Sequence, residues 1–213
     1  MKLKFGLIVA LIVVTSMSSF AASPSGGVSA QDALKQLLEG NARYVQGQPD
    51  RAGQRPSAAA QHPIAAILSC SDSRVPPEII FDRGVGSLFV VRAAGNTCDR
   101  LGVQSLEYAV AHLGARLIIV MGHDQCGAVS AAVKTYPKED VGPMLENIYP
   151  AVRDTKDHKG DAVSNAIDEN AILTAKKLSE DPALAASVKR GDLKIVPARY
   201  ALDTGKVTIL SAQ

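Results

Sequence analysis

Leu117-Ile118-Ile119-Val120-Met121-Gly122-His123-Asp124-Gln125-Cys126 is the stretch on which the fold of this chain turns. An unbroken apolar run of this length predicts a strand buried on both faces, and the histidine and cysteine behind it lie where such a strand leaves its sheet. The pattern occurs once more upstream, where Ile64-Ala65-Ala66-Ile67-Leu68 leads into Cys70-Ser71-Asp72-Ser73-Arg74. A third run, Leu88-Phe89-Val90-Val91, stands between them. Helix-like segments follow the first run and separate the later two, and that alternation predicts a parallel sheet. Leu101, Leu106, Ala109, Val110 and Leu113 recur at helical spacing up to Gly114, whose missing side chain suits a left-handed cap, so this segment is read as a crossover helix.

Working outward, Ser29 is placed to cap a helix whose stripe is Ala33, Leu34, Leu37 and Leu38 and which Gly40 is expected to end. Residues 46–57, with Pro49, Gly53 and Pro56, read as a loop or extended arm. Beyond Cys126 a helix of small residues begins, and residues 161–179 carry a second helical pattern. Asp181-Pro182 is expected to open another helix and Gly191 to close it. Residues 193–196 then form a strand, Asp203-Thr204-Gly205 a turn and residues 207–210 a hairpin return. The expectation is one α/β domain over residues 29–213, with a mostly parallel central sheet flanked by helices and an N-terminal helical arm.

The first 21 residues read as a signal peptide. Lys2 and Lys4 form its basic start, residues 5–14 an apolar run too short to span a bilayer, and Ser19-Phe20-Ala21 a cleavage site, with residues 22–28 a polar linker. A periplasmic or secreted protein follows from this reading, with no membrane attachment after cleavage. Cleavage removes two lysines and no acids, so 23 basic residues become 21 against 21 acidic ones. A neutral chain is a poor partner for nucleic acid or an anionic membrane, and a small neutral or singly charged substrate suits it better. Three cysteines are an odd number for an exported protein. Metal ligation accounts for two, leaving Cys98 as a buried free thiol or a disulfide to another chain.

Cys70, His123 and Cys126 supply two thiolates and one imidazole, a zinc ligand set that leaves a fourth position open, as catalytic sites do. Both segments leave the carboxyl ends of strands, where open α/β sheets bind their ligands. Side chains two apart on an extended segment point the same way, so Asp72 addresses the point that Cys70 addresses. Arg74 can fork onto that carboxylate, holding it ionised and fixing its direction. Asp72 then has two possible jobs: a fourth ligand in a closed state, or a hydrogen-bond acceptor for hydroxide on the metal in an open one. Zinc lowers the pKa of a bound water to about 7, and the nucleophile so produced suits a small electrophilic carbon such as carbon dioxide.

Four blocks in order, Cys-Ser-Asp-Ser-Arg-Val-Pro-Pro-Glu from Cys70, Leu-Phe-Val-Val-Arg-Ala-Ala-Gly-Asn from Leu88, Ser-Leu-Glu-Tyr-Ala-Val from Ser105 and Gly-His-x-x-Cys-Gly-Ala-Val from Gly122, resemble the β-class carbonic anhydrases. The resemblance runs from about Ala33 to the end of the chain. It implies Cys70, His123 and Cys126 as zinc ligands and Asp72 with Arg74 as the catalytic dyad. It implies reversible hydration of carbon dioxide to bicarbonate and a proton. Gln61 matches a glutamine that hydrogen-bonds substrate, Phe89, Tyr108 and Gly122 match positions near the pocket, and residues 90–96 match part of its wall. The family completes its pocket across a dimer interface, so a homodimer or a dimer of dimers is implied. The chain departs from its allosterically inhibited members, which carry tryptophan where this chain has Ile67, and an open site is therefore expected near pH 8. It also has Ser87 where an acidic residue is common.

Other functions fit the same residues less well. A zinc deaminase needs a His-x-Glu and a Pro-Cys-x-x-Cys segment, and neither is present. A non-catalytic zinc-binding protein has no use for Asp72 and Arg74. A carbonyl sulfide or carbon disulfide hydrolase shares the ligand set and is separated from carbonic anhydrase by assay. His62, His112 and His158 have no partner at ligand spacing and are read as structural or solvated.

Overall fold

A computed structural model describes residues 27–50 and 60–211. The expected signal peptide and most of the linker and arm fall outside these residues. Ser29 caps the first helix, α1 (Ala30–Val45), by accepting the Asp32 amide proton at 3.1 Å. The helix does not stop at Gly40 as expected, and runs on to Val45. Gly40 is there for close approach, since a Cβ at that position would sit 1.9 Å from the Phe81 carbonyl oxygen. The apolar stripe of α1 is buried on its own chain, with Ala33, Leu34 and Leu37 all in the core.

The apolar runs become strands β1 (Ala65–Ser69), β2 (Leu88–Arg92) and β3 (Leu117–His123), joined by β4 (Lys194–Tyr200) and β5 (Val207–Ile209). They form one sheet in the order β2-β1-β3-β4-β5, parallel except for the β4–β5 hairpin. Between β1 and β2 lies the short helix α2 (Pro77–Ile80), and between β2 and β3 the crossover helix α3 (Arg100–Leu113). Asp99 caps α3, and Gly114 ends it in the left-handed region at φ 73°. Helices α4 (Gly127–Thr135), α5 (Pro143–Thr155) and α6 (Ala162–Ser179) fill the connection to β4. The helix expected from Asp181-Pro182 is shorter than read: α7 (Ala185–Lys189) begins after a turn at residues 181–184.

β1 and β3 send alternate residues to two separate apolar layers, which is why their sequences are apolar throughout. Ile67, Leu117 and Ile119 pack with α1, α4 and α5 on one face. Leu68, Ile118 and Val120 pack with Leu106 and Ala109 of α3 and Leu178 of α6 on the other. From β1 the chain passes to β2 on one side and later to β3 on the other. The sheet therefore splits direction between β1 and β3, and the carboxyl ends of those two strands open onto one crevice.

Candidate active site

Each strand at the crevice ends on a residue with a lone pair to offer. Cys70 follows β1 directly, His123 is the last residue of β3, and Cys126 is the N-cap of α4, reached through Gln125 in the left-handed region at φ 51°. Their ligand atoms lie within 4.8 Å of one another, and all three side chains are buried. The two sulfurs are 4.0 Å apart. Two sulfur ligands on one tetrahedral zinc stand about 3.8 Å apart, so the pocket fits that ion with little adjustment.

The hydrogen bonds of His123 leave the correct nitrogen free. Nδ1 lies 2.8 Å from the Asp124 carbonyl oxygen, which can only accept, so Nδ1 carries the proton and Nε2 the lone pair. Nε2 is buried and has no hydrogen-bond partner among the described residues. A buried lone pair beside two thiols is what a metal ion would satisfy. Cys70 is prepared in the same sense: its sulfur takes a hydrogen bond from Cys126, with the backbone amides of Asp72 and of Gly95, the latter at 3.3 Å, adding to it, and together these pull its pKa down against burial. The proton shared with Cys70, and then burial, hold Cys126 up.

Asp72 is turned toward Arg74. Arg74 Nε donates to Oδ1 at 2.9 Å, Nη2 to Oδ2 at 2.7 Å, and the Arg74 backbone amide to Oδ1 at 2.9 Å. The guanidinium holds the carboxyl well below the usual carboxylate range. Oδ2 also stands 4.0 Å from His123 Nε2, so the ionised carboxylate faces the ligand cluster from the edge.

A family model described as carbonic anhydrase matches residues 65–207. Carbonic anhydrase 2 of Mycobacterium tuberculosis (strain H37Rv) is 40% identical, covering 83% of this chain and 91% of the relative. The carbonic anhydrase of Mycolicibacterium smegmatis is 37% identical over 84% of this chain and 92% of its own. The structure of the β-carbonic anhydrase CcaA superposes with a TM-score of 0.64 at 31% identity, covering 72% of this chain and 82% of that one. The chain belongs to the β-class carbonic anhydrases. It is a zinc enzyme that interconverts carbon dioxide and bicarbonate.

Not every candidate residue of this β-carbonic anhydrase gathers at the metal cluster. Gln61 and Tyr108 line a separate cavity of ≈ 690 Å³ with His62, His112 and Gly114. That cavity is at the amino end of β1, and at about 3.3 Å per residue Ile64 and Cys70 are about 20 Å apart. Phe89 is 6.3 Å from Tyr108, ring to ring, on the α3 side of the sheet. Gly122 adjoins His123 but presses on α6, where a Cβ would meet Ile167 at 3.3 Å. Cys98 is a buried free thiol, pushed up to about 11 by burial.

Several contributors have no reading of their own in the sequence. Arg92 Nε donates to the Cys70 carbonyl at 2.9 Å and its Nη2 to that of Asp72, pinning the ligand loop. Asn170 Nδ2 donates to the Gly95 carbonyl at 2.8 Å, steadying the amide that faces Cys70. Arg92 and Gly95 lie in a block singled out by its resemblance. Asn170 is 75 residues from its partner, and no local pattern marks it.

Proposed function

We propose that this carbonic anhydrase works from the open arrangement and that its substrate pocket is completed by a second copy of the chain. Bound zinc lowers the pKa of water to about 7 and so supplies a nucleophile near neutral pH. Cys70, Cys126 and His123 Nε2 would hold the ion, with Nδ1 tied to the Asp124 carbonyl so that the ring presents only one nitrogen. Asp72, held ionised by Arg74, accepts the proton side of the attacking water and orients its lone pair toward carbon dioxide. Buried Cys70, His123 and Cys126 keep bulk water from the ligand atoms.

The observation that carries the two-chain reading is the separation of Gln61 and Tyr108 from the ligands of their own chain, at opposite ends of β1. A two-fold axis brings one end of a subunit against the other end of its copy, which would set Gln61, Phe89 and Tyr108 of one chain over the metal of the next. The β2 edge of the sheet supports this, because Val85 ahead of it is 69% exposed and Leu101 on α3 is 72% exposed. α1 contributes little to such a contact, since its stripe is already covered. Export through the first 21 residues is also proposed, and cell fractionation tests it.

Complementation tests the shared pocket. Cys126→Ala removes a ligand and Gln61→Ala removes the partner's contribution, so each homodimer is impaired. Refolded together, half of the dimers are mixed and each carries one intact site, giving about a quarter of wild-type activity. Activity that never rises above that of the better parent would refute the shared pocket.

A further inference from the structure

We propose that Arg199 is a positioning residue for the metal centre, acting through Asp124 on the imidazole of His123. Arg199 lies in β4 beside Gly122, one register place before the Tyr200–His123 pair. Its side chain crosses the α6 face of the sheet. Nε donates to Asp124 Oδ1 at 2.6 Å, while Nη1 donates to Ser164 Oγ at 2.7 Å, to the Ser164 carbonyl at 3.3 Å and to Asp168 Oδ1 at 3.1 Å. Arg199 and Asp124 are each only 23% exposed. One planar fork therefore joins the residue after a metal ligand to the first two turns of α6.

Asp124 is the residue whose carbonyl takes the Nδ1 proton of His123. Its amide is held by the Tyr200 carbonyl at 3.0 Å, and its side chain by Arg199. With both points fixed, the carbonyl has one direction, and it precedes Gln125 in a left-handed turn that any rotation of Asp124 would disturb. The carbonyl direction sets the plane of the imidazole, and so where Nε2 points between Cys70 and Cys126. A group that orients a metal-bound histidine through its second nitrogen acts on affinity and geometry without touching substrate.

This rests on Cys70, His123 and Cys126 as the ligand set, which Cys126→Ala tests separately. The test measures the zinc dissociation constant of the purified full chain by chelator competition, and the absorption spectrum of the cobalt(II)-substituted protein. Arg199→Ala is expected to weaken zinc binding about 10- to 100-fold and to change the cobalt bands. Arg199→Lys keeps the charge but loses the fork, and should restore only part of the loss. Asp124→Ala keeps the backbone carbonyl but frees it, and should match Arg199→Ala. In the double variant the second substitution should add nothing. Wild-type affinity and spectrum in folded Arg199→Ala, or losses that simply add in the double variant, would overturn the proposal. If Arg199→Ala does not fold, wild-type values in Asp124→Ala overturn it alone.

Discussion

Replacing Arg74 by alanine separates the carboxylate's orientation from the metal's retention. Three donors hold Asp72 in the structure, and Arg74→Ala removes two of them, the 2.9 Å bond from Nε and the 2.7 Å bond from Nη2. The backbone amide at 2.9 Å survives. Oδ2 then has no tether, and it already stands 4.0 Å from His123 Nε2. Oxygen and nitrogen ligands on one tetrahedral zinc are about 3.4 Å apart, so a shift of little more than half an ångström takes Oδ2 into the ligand shell. A carboxylate in that position fills the open place and no longer orients water, and a displacement on the ångström scale at a reacting group costs about 100-fold in rate. Zinc content should be unchanged. Without the guanidinium the Asp72 pKa rises toward its ordinary value near 4, still far below the assay pH, so raising the pH should not restore activity. Stopped-flow carbon dioxide hydration at pH 8, with metal analysis of the same sample, measures both quantities. Turnover within about twofold of wild type at full zinc occupancy would refute the orienting role.

Cys126→Ala should lose zinc and activity together, because it removes one of three buried ligands; a fully zinc-loaded variant by metal analysis would contradict the assignment. Cys98 is raised from an ordinary 9.0 to about 11 in the folded chain, so its contribution to stability is present below pH 9 and is lost as pH climbs toward 11. That contribution is on the order of 2 kcal/mol, and Cys98→Ala should flatten the alkaline fall seen in denaturant melts across that window. Native thiol labelling should find at most Cys98, and a chelator should expose two further thiols per chain; a Cys70–Cys126 disulfide in active protein would defeat this. Gly40→Ala places a Cβ against the Phe81 backbone at 1.9 Å and should destabilise the chain by about 1–3 kcal/mol or more, with an unchanged melting temperature as the contrary result.

Where a signal is local, the sequence carries it. The runs 64–68 and 117–121 are apolar because both faces of their strands are covered, whereas 88–91, on the edge strand, is only half-buried; in each the run shows itself without reference to its neighbours. Gly114 satisfies backbone groups within a turn of itself, so the end of α3 can be read, and the pattern over 161–179 locates α6; the side-chain caps Asp99 and Asp161 act equally locally but are no part of that reading. Gly40 misled because a glycine that ends a helix and one that admits another backbone look alike in sequence, and only the position of Phe81 distinguishes them. The types and spacings of Cys70, Asp72, Arg74, His123 and Cys126 were likewise contiguous patterns, and they sufficed to name the chemistry. The strand order was not contained in any of them. Placing β1 beside β3 is what brings Cys70 to Cys126 across 56 residues, and the Asp124 carbonyl, Arg199 and Asn170 complete the site from positions no periodicity marks. Residue type and local spacing determine which groups can ligate, orient and cap, whereas the distances between them arise only when long-range strand pairing and helix packing close the sheet.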